Sequence, residues 1–337
     1  MGLVTPLESS APPRGDAPQG ARRLLRLSAW SRADIAVATS AAAHHRVNED
    51  AHSDLARESR VLVLADGVGG GAMAAEVSRR LVDALHQRLD RGALDAGTIA
   101  RAVLDADREL RDFVGAHTRE PGAATLALCA AAGRSAREWW IAWVGDCRIY
   151  AAGTGRDEPA RQLTHDDSYL NLGEAPPPGG SPADPARMVG NGAVREPNVR
   201  RVRLARGERL LLCSDGVHKH LTPHQIGELL RPRRPLEARC CELVERARAA
   251  GSTDDATALV LERHRMSWIA WGAWGLAAAV LLLLAGLALW NAYGLGGRAT
   301  PPVFDPDPTE GAVPGTVAPP PLAAPASAAS APVGGAR

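Results

Sequence analysis

Short apolar runs separated by polar, glycine-rich turns occupy the middle of the chain, and their lengths predict a mixture of strands and helices. Four longer stretches carry apolar residues at helical spacing and predict helices over 72–90, 97–117, 223–230 and 235–249. Two of these helices lie early between strands and two lie late before the last strand, so the order is not a regular β-α-β alternation. It predicts an α+β sandwich. The runs that predict strands are Ile35–Thr39, Val61–Ala65, Ala124–Ala130, Trp139–Val144, Arg148–Ala151, Leu210–Cys213 and Ala256–Leu261.

The two ends of the chain and one internal segment lack this apolar pattern. Residues 1–28 are rich in Pro, Gly, Ala and Arg and hold no apolar core of a signal peptide, which predicts a disordered leader. The globular domain is predicted over 29–265, and within it the Pro- and Gly-rich segment 170–195 predicts an exposed flap or loop. Residues 299–337 are rich in Pro, Ala and Ser and predict a disordered tail.

A different pattern fills residues 267–291, where apolar residues follow one another without a charge. The stretch is longer than the ~20 residues that cross a bilayer as a helix, and tryptophans lie at both of its ends. A buried core helix is the alternative, but core helices of this length seldom lack every polar residue. Basic residues at 263–265 precede the stretch and only Arg298 follows closely, so the positive-inside rule predicts a single-pass protein of the inner (cytoplasmic) membrane. The globular domain would lie in the cytoplasm and the C-terminal tail outside.

Composition narrows the class of protein. The 337 residues carry a formal net charge of +1, whereas nucleic-acid binders usually present a basic face, so no nucleic-acid partner is expected. The five cysteines are odd in number, scattered and without a CxxC pair. This pattern argues against a disulfide framework and against a structural zinc site, and it fits a reducing compartment.

Acidic residues recur where apolar runs end. Carboxylates at strand ends lie on rigid backbone, and neighbouring glycines allow backbone carbonyls to approach a bound ion. The setting favours Mg²⁺ or Mn²⁺ over zinc, because hard cations prefer oxygen ligands and the histidines beside Asp215 (His218, His220 and His224) are predicted to be surface residues. Each segment alone is typical of a solvated turn, but their repetition predicts a metal site. The segments are Asn48-Glu49-Asp50, Ala65-Asp66-Gly67, Val144-Gly145-Asp146, Ser214-Asp215-Gly216 and Thr253-Asp254-Asp255.

These segments, with two others, follow the order and spacing of the metal-dependent Ser/Thr protein phosphatases of type 2C, the PPM family. The chain resembles the bacterial form of this family over about 31–265. Each short motif is unspecific, whereas the ordered series is specific. The motifs are Asn48-Glu49-Asp50, Ala65-Asp66-Gly67-Val68-Gly69-Gly70, Ala123-Ala124-Thr125-Leu126, Val144-Gly145-Asp146-Cys147-Arg148-Ile149-Tyr150, Leu163-Thr164-His165-Asp166, Leu212-Cys213-Ser214-Asp215-Gly216-Val217 and Gly251-Ser252-Thr253-Asp254-Asp255-Ala256-Thr257.

The resemblance implies a central antiparallel β-sandwich flanked by helices, an αββα arrangement, with two Mn²⁺ or Mg²⁺ ions at one end. It implies hydrolysis of phosphoserine and phosphothreonine on proteins by a water that bridges the two ions, loses its proton and attacks phosphorus in line. The implied catalytic set is Asp66, Asp215, Asp254 and the phosphate-binding Arg46. As metal ligands, the resemblance implies Asp66 bridging both ions, the carbonyl of Gly67, Asp215 and Asp254 on one ion, Glu49 and Asp50 on the other, and Asp146 on a third, weaker ion.

The chain departs from the family pattern at several positions beside these residues. His45 stands in the register of an arginine that contacts the substrate phosphate, and Arg46 lies one residue closer to the acids. Asp255 replaces an asparagine and Cys147 replaces a serine. None of these positions is an implied metal ligand, so activity is expected to survive. The shifted arginine leaves a second interpretation open, a catalytically weak or inactive pseudo-phosphatase that binds phosphoproteins.

The sequence therefore predicts a membrane-anchored phosphatase that acts on phosphorylated Ser/Thr proteins. How the family usually works implies that these substrates include a cognate Ser/Thr kinase, and a single C-terminal span would confine the enzyme to substrates near the membrane. A membrane scaffold whose important part is the tail at 299–337 is a further alternative.

Overall fold

The computed structural model describes residues 17–29, 31–45, 47–118, 122–155, 157–263 and 268–293. The chain forms two compact units, Met1–Ser267 and Trp268–Arg337. The first unit contains the strands and most of the helices, and the described part of the second is one helix.

The first unit is built around two antiparallel sheets. Its strands are β1 Gln19–Ser28, β2 Ser31–Ser40, β3 Asp50–His52, β4 Val61–Val68, β5 Ala123–Ala131, β6 Glu138–Val144, β7 Arg148–Ala152, β8 Arg161–Gln162, β9 Asn198–Arg203, β10 Arg209–Cys213 and β11 Ala256–Arg263. One sheet has the order β1-β2-β11-β10-β7-β8 and the other β3-β4-β5-β6-β9. Each run that predicts a strand forms one, with its ends extended by up to a few residues.

Helices cover the outer face of each sheet. The helices of the first unit are α1 Gly71–Leu89, α2 Ala96–His117, α3 Tyr169–Leu172, α4 Asp215–His218, α5 Pro223–Leu229 and α6 Leu236–Ala249, of which α1 and α2 cover one sheet and α5 and α6 the other. Side chains alternate along β4, so that Leu62 and Leu64 fill the space between the sheets while Val61 and Val63 pack beneath α1 and α2. A third apolar cluster lies between the other sheet and α5 and α6. The predicted αββα sandwich is confirmed.

The first strand corrects the prediction of a disordered leader over 1–28. Residues 19–28 form β1, which pairs with β2 from Gln19 opposite Thr39 onwards, while residues 1–16 lie outside the described part of the chain. Only Leu25 and Leu27 of this strand are buried. β1 is an edge strand whose other residues are mostly exposed, Arg22 and Arg26 among them, so it lacks the apolar run that reveals a central strand.

The segment 170–195 forms no strand apart from isolated bridges, as a loop would, but its second half is docked rather than free. Val189 exchanges backbone hydrogen bonds with Ala124, at 2.8 and 2.9 Å, and Val194 is buried. The Asp107 carboxylate on α2 accepts a hydrogen bond from the Gly190 amide, at 2.7 Å. This loop therefore packs against the start of β5.

The second unit contains α7, Trp268–Tyr293. Within it, the 20 residues Trp274–Tyr293 are long and apolar enough to cross a membrane by length and composition, and none of that stretch is buried inside the structure. The predicted tail at 299–337 lies outside the described residues.

Candidate metal centre

Antiparallel pairing brings the acidic segments to one edge of the sandwich. β4 ends and β3 begins at this edge, where Asp66 pairs with Asp50. In the other sheet β10 ends beside the start of β7, since Cys213 pairs with Arg148, and β11 begins beside the end of β2. A hydrogen bond of 2.7 Å from the Ser214 hydroxyl to Asp50 Oδ2 joins the two sheets here. Acids that are far apart in sequence therefore meet at this edge.

Asp50 and Asp66 are neighbouring carboxylates with few protein partners. Asp50 Oδ1 is buried and accepts no hydrogen bond, although Oδ2 is bound by Ser214. Burial, together with the charges of Asp255 and Asp215, outweighs the hydrogen bonds that Asp50 accepts and raises its pKa. Burial and the charges of Asp50, Asp215 and nearby acids raise the pKa of Asp66 well above its ordinary value. Burial and neighbouring acids thus dominate the surroundings of both carboxylates.

Asp215 and Asp254 complete the opposite side of the centre. Asp215 is the first residue of α4, directly after β10, and its buried Oδ1 also accepts no hydrogen bond. Asp254 lies at the exposed rim before β11. Its partial burial and the charge of Asp215 raise the pKa of Asp254.

Glu49 is held by the turn that follows β4. Its carboxylate accepts a hydrogen bond from the Gly71 amide at 2.5 Å, and its backbone carbonyl accepts one from the Gly67 amide at 3.1 Å and one from the Ser78 hydroxyl at 2.6 Å. A Cβ at Gly67 would collide with the carbonyl oxygen of Ala74, so only glycine allows this approach of β4 to α1.

Asp146 lies in the β6–β7 turn, buried beside Asp215. Its Oδ2 is 3.5 Å from the ammonium nitrogen of Lys219, which also lies 2.6 Å from Asp215 Oδ2. His218 is buried rather than exposed, so its predicted surface position is wrong: its Nε2 is 2.9 Å from the Asp146 carbonyl oxygen. Burial lowers the pKa of His218 to about 3, so the ring is neutral and donates to that carbonyl.

Asp255, which the sequence identifies only as a departure from the family pattern, organises the Glu49 loop. This carboxylate is buried, accepts hydrogen bonds from the amides of Ala42 and Glu49, each at 2.6 Å, and lies 3.1 Å from His45 Nδ1. Burial opposes a charge on His45, but the hydrogen bond to Asp255 and the charge of that residue outweigh it and raise the pKa of His45.

The structure describes His45 but not Arg46. The Nδ1 atom of His45 faces Asp255 and also lies 4.0 Å from Glu49 Oε1. The ring therefore interacts with the acidic residues of the site. Arg46 lies outside the described residues, and its contact with the substrate phosphate stays a prediction. Burial raises the pKa of both Cys147 and Cys213, so neither thiol is suited to act as a nucleophile at neutral pH.

The arrangement suits hard divalent cations. Its donors are carboxylate oxygens, the ligands that Mg²⁺ and Mn²⁺ prefer. Two of them, on Asp50 and Asp215, are buried without a hydrogen bond, and the acids raise one another's pKa values. A bound cation would remove both costs.

Comparison with known proteins agrees with the fold. The chain belongs to the protein phosphatase 2C family, whose model matches residues 37–260. This confirms the predicted family, the enzyme class of Ser/Thr protein phosphatase and the cofactor class of Mn²⁺ or Mg²⁺.

Individual relatives resemble about two thirds of the chain. The serine/threonine phosphatase stp of Listeria innocua is 25% identical over 243 residues, which cover 66% of this chain and 92% of the relative. PppA of Pseudomonas aeruginosa, a regulatory component of T6SS, is 26% identical with a TM-score of 0.59, covering 69% of this chain and 98% of its own. The catalytic domain of the phosphatase PstP, solved in complex with two manganese ions, is 25% identical with a TM-score of 0.57, covering 69% of this chain and 99% of its own.

Proposed function

We propose that this Ser/Thr phosphatase is anchored in the inner membrane by α7 and hydrolyses phosphoserine and phosphothreonine on proteins with two divalent ions held at the shared sheet edge. One observation carries the proposal: Asp50 Oδ1 and Asp215 Oδ1 are buried without hydrogen bonds where the acidic segments converge. The proposed ligands are Asp66 and the carbonyl of Gly67, with Asp215 and Asp254 on one side and Glu49 and Asp50 on the other.

Ions bound at these residues would supply Lewis acidity and a water of lowered pKa for attack on phosphorus. The side chains of the protein position the ligands. Ser214 donates to Asp50 Oδ2, which leaves Oδ1 for an ion. Asp255 fixes the Glu49 amide, and Gly71 fixes the Glu49 carboxylate. Arg46 is the proposed contact for the substrate phosphate.

The domain organisation supports a membrane-proximal enzyme. The catalytic unit precedes the segment Trp274–Tyr293, whose length and composition suit a membrane span. The excess of basic residues at 263–265 favours a cytoplasmic catalytic unit and an external tail. Reporter fusions after residue 337 that are active only outside the cytoplasm would support this topology, and fusions active only inside would contradict it.

The substrates are proposed to include a cognate Ser/Thr kinase, because the family usually opposes such kinases. Quantitative phosphoproteomics of a deletion strain tests this: phosphorylation of a kinase activation segment is expected to rise. No change on any Ser/Thr kinase would remove the kinase from the proposal without affecting the enzyme class.

The central experiment measures hydrolysis of a phosphothreonine peptide by the full chain in detergent micelles, with Mn²⁺ and with EDTA. Turnover that requires Mn²⁺ and disappears in the Asp66→Asn variant is expected. A folded chain that binds Mn²⁺ and the phosphopeptide without turnover would contradict the proposal and establish the pseudo-phosphatase interpretation.

A further inference from the structure

Lys219 is unusual in both sequence and position. It is the one lysine among the 39 lysine and arginine residues of the chain. Its backbone amide donates to the carbonyl of Asp215, 3.0 Å away, at the end of the short helix α4. The lysine side chain therefore starts one turn after a proposed metal ligand and returns toward it.

The ammonium group of Lys219 lies between two carboxylates. Its nitrogen is 2.6 Å from Asp215 Oδ2 and 3.5 Å from Asp146 Oδ2. The Asp146 side chain is 5% exposed, whereas that of Lys219 is 49% exposed, so the lysine reaches in from solvent and covers a buried acid. These contacts and the charges of both acids raise the pKa of Lys219 despite its partial burial.

The two carboxylate oxygens of Asp215 have different surroundings. Oδ2 is bound by Lys219, while the buried Oδ1 has no hydrogen bond. Asp146 is held from its other side, because His218 donates to its backbone carbonyl. On the Asp146 side of the centre, Lys219 therefore supplies a positive charge that contacts both Asp146 and Asp215.

We propose that the Lys219 ammonium group is a built-in cation that fills the space between Asp146 and Asp215 and excludes a further divalent ion there. The inference rests on the proposed two-ion centre and refines it. A compact ammonium with three donors can satisfy two carboxylates at once. A divalent ion in the same space would have to displace it against the repulsion of like charges. Asp146 then acts as the anchor of Lys219 rather than as the ligand of a third ion.

Counting bound Mn²⁺ tests the proposal. The full chain in detergent micelles is dialysed against increasing Mn²⁺, and metal per chain is measured by mass spectrometry for the wild type and for Lys219→Met, which keeps length and removes charge. Two ions per chain are expected for the wild type, and a third, weaker ion for Lys219→Met. Lys219→Arg, the matched control that keeps the charge, is expected to bind two, and Asp146→Asn added to Lys219→Met is expected to remove the third.

Three ions on the wild type, or two on a folded Lys219→Met, would overturn the proposal while leaving the two-ion phosphatase intact. Binding of no Mn²⁺ by the wild type would overturn the metal centre as well, so the two failures are distinguishable.

A second measurement does not depend on any substitution. Reductive methylation with ¹³C-formaldehyde labels a single lysine side chain in this protein, so one dimethyl-lysine NMR signal reports on Lys219. Mn²⁺ at the neighbouring ligands is expected to broaden this signal beyond detection, and Mg²⁺ to leave it sharp. A signal that stays sharp in a chain shown to hold two Mn²⁺ ions would contradict a lysine that remains beside the loaded centre.

Discussion

The acids at the sheet edge divide into two regions that the protein treats differently. Asp255 lies directly before β11, is buried and holds the loop before β3: it accepts from the amides of Ala42 and Glu49 and faces His45. At the ends of β4 and β10, burial and neighbouring acids raise the pKa of Asp66, and Asp215 keeps a buried oxygen without a hydrogen bond. Burial alone does not separate these regions. The two regions differ in how many hydrogen-bond donors the protein supplies to the carboxylates.

This difference distinguishes a structural acid from a proposed metal ligand. A buried carboxylate that the backbone satisfies stabilises the fold, because removal of it would leave amide groups without acceptors. A carboxylate left without partners destabilises the metal-free fold and gains most from a cation. Substitutions in each region and changes in pH test this difference.

The largest effect is expected from Asp66→Asn. Loss of this charge should reduce phosphopeptide hydrolysis by on the order of 10³-fold, because the site loses an anionic ligand shared by the proposed ions. The same change should raise the melting temperature of the metal-free protein, since it relieves repulsion with Asp50 and Asp215. Turnover assays and thermal unfolding in EDTA measure the two effects. Activity within tenfold of the wild type would show that Asp66 is not a ligand.

A substitution on the other side should act mainly on stability. Asp255→Ala leaves two buried amides without an acceptor and is expected to cost about 2–4 kcal/mol of unfolding free energy. Displacement of the Glu49 loop should reduce activity by about 10–100-fold. Asp255→Asn is the matched control: it keeps one acceptor oxygen and should lose less of both. Equal losses in the two variants would show that the charge, rather than the hydrogen bonds, maintains the loop.

The smallest effect is a pH dependence of the metal-free protein. The pKa of Asp146 is raised from 3.8 to about 6, chiefly by burial, and those of Asp50 and Asp66 are raised as well. At these carboxyls the folded chain therefore binds more protons than the unfolded chain above about pH 4, so their contribution to stability falls as pH rises, while the buried, neutral His218 contributes a weaker opposite trend. Unfolding in EDTA at pH 6 and pH 8 should show the higher melting temperature at pH 6. With saturating Mn²⁺ the order should flatten or reverse, because ions compete with protons for the same oxygens.

Sequence patterns predict the central elements well because burial of both faces leaves a continuous apolar run, as in β4. They do not reveal β1, where only Leu25 and Leu27 are buried and the rest of an edge strand reads like a polar leader. The burial of His218 depends on the carbonyl of Asp146, a contact that no local pattern records. In the same way, the role of Asp255 depends on two amides more than 200 residues away in sequence. The acidic motifs predict which residues converge, and only the structure shows which of them the protein already satisfies.

The most direct test of this division is the Mn²⁺-induced shift in melting temperature, measured side by side for the wild type, Asp66→Asn and Asp255→Asn. We predict a large shift for the wild type, almost none for Asp66→Asn from a raised metal-free starting point, and a retained shift for Asp255→Asn from a lowered one. A metal-free Asp66→Asn that melts below the wild type and still responds fully to Mn²⁺ would contradict the account.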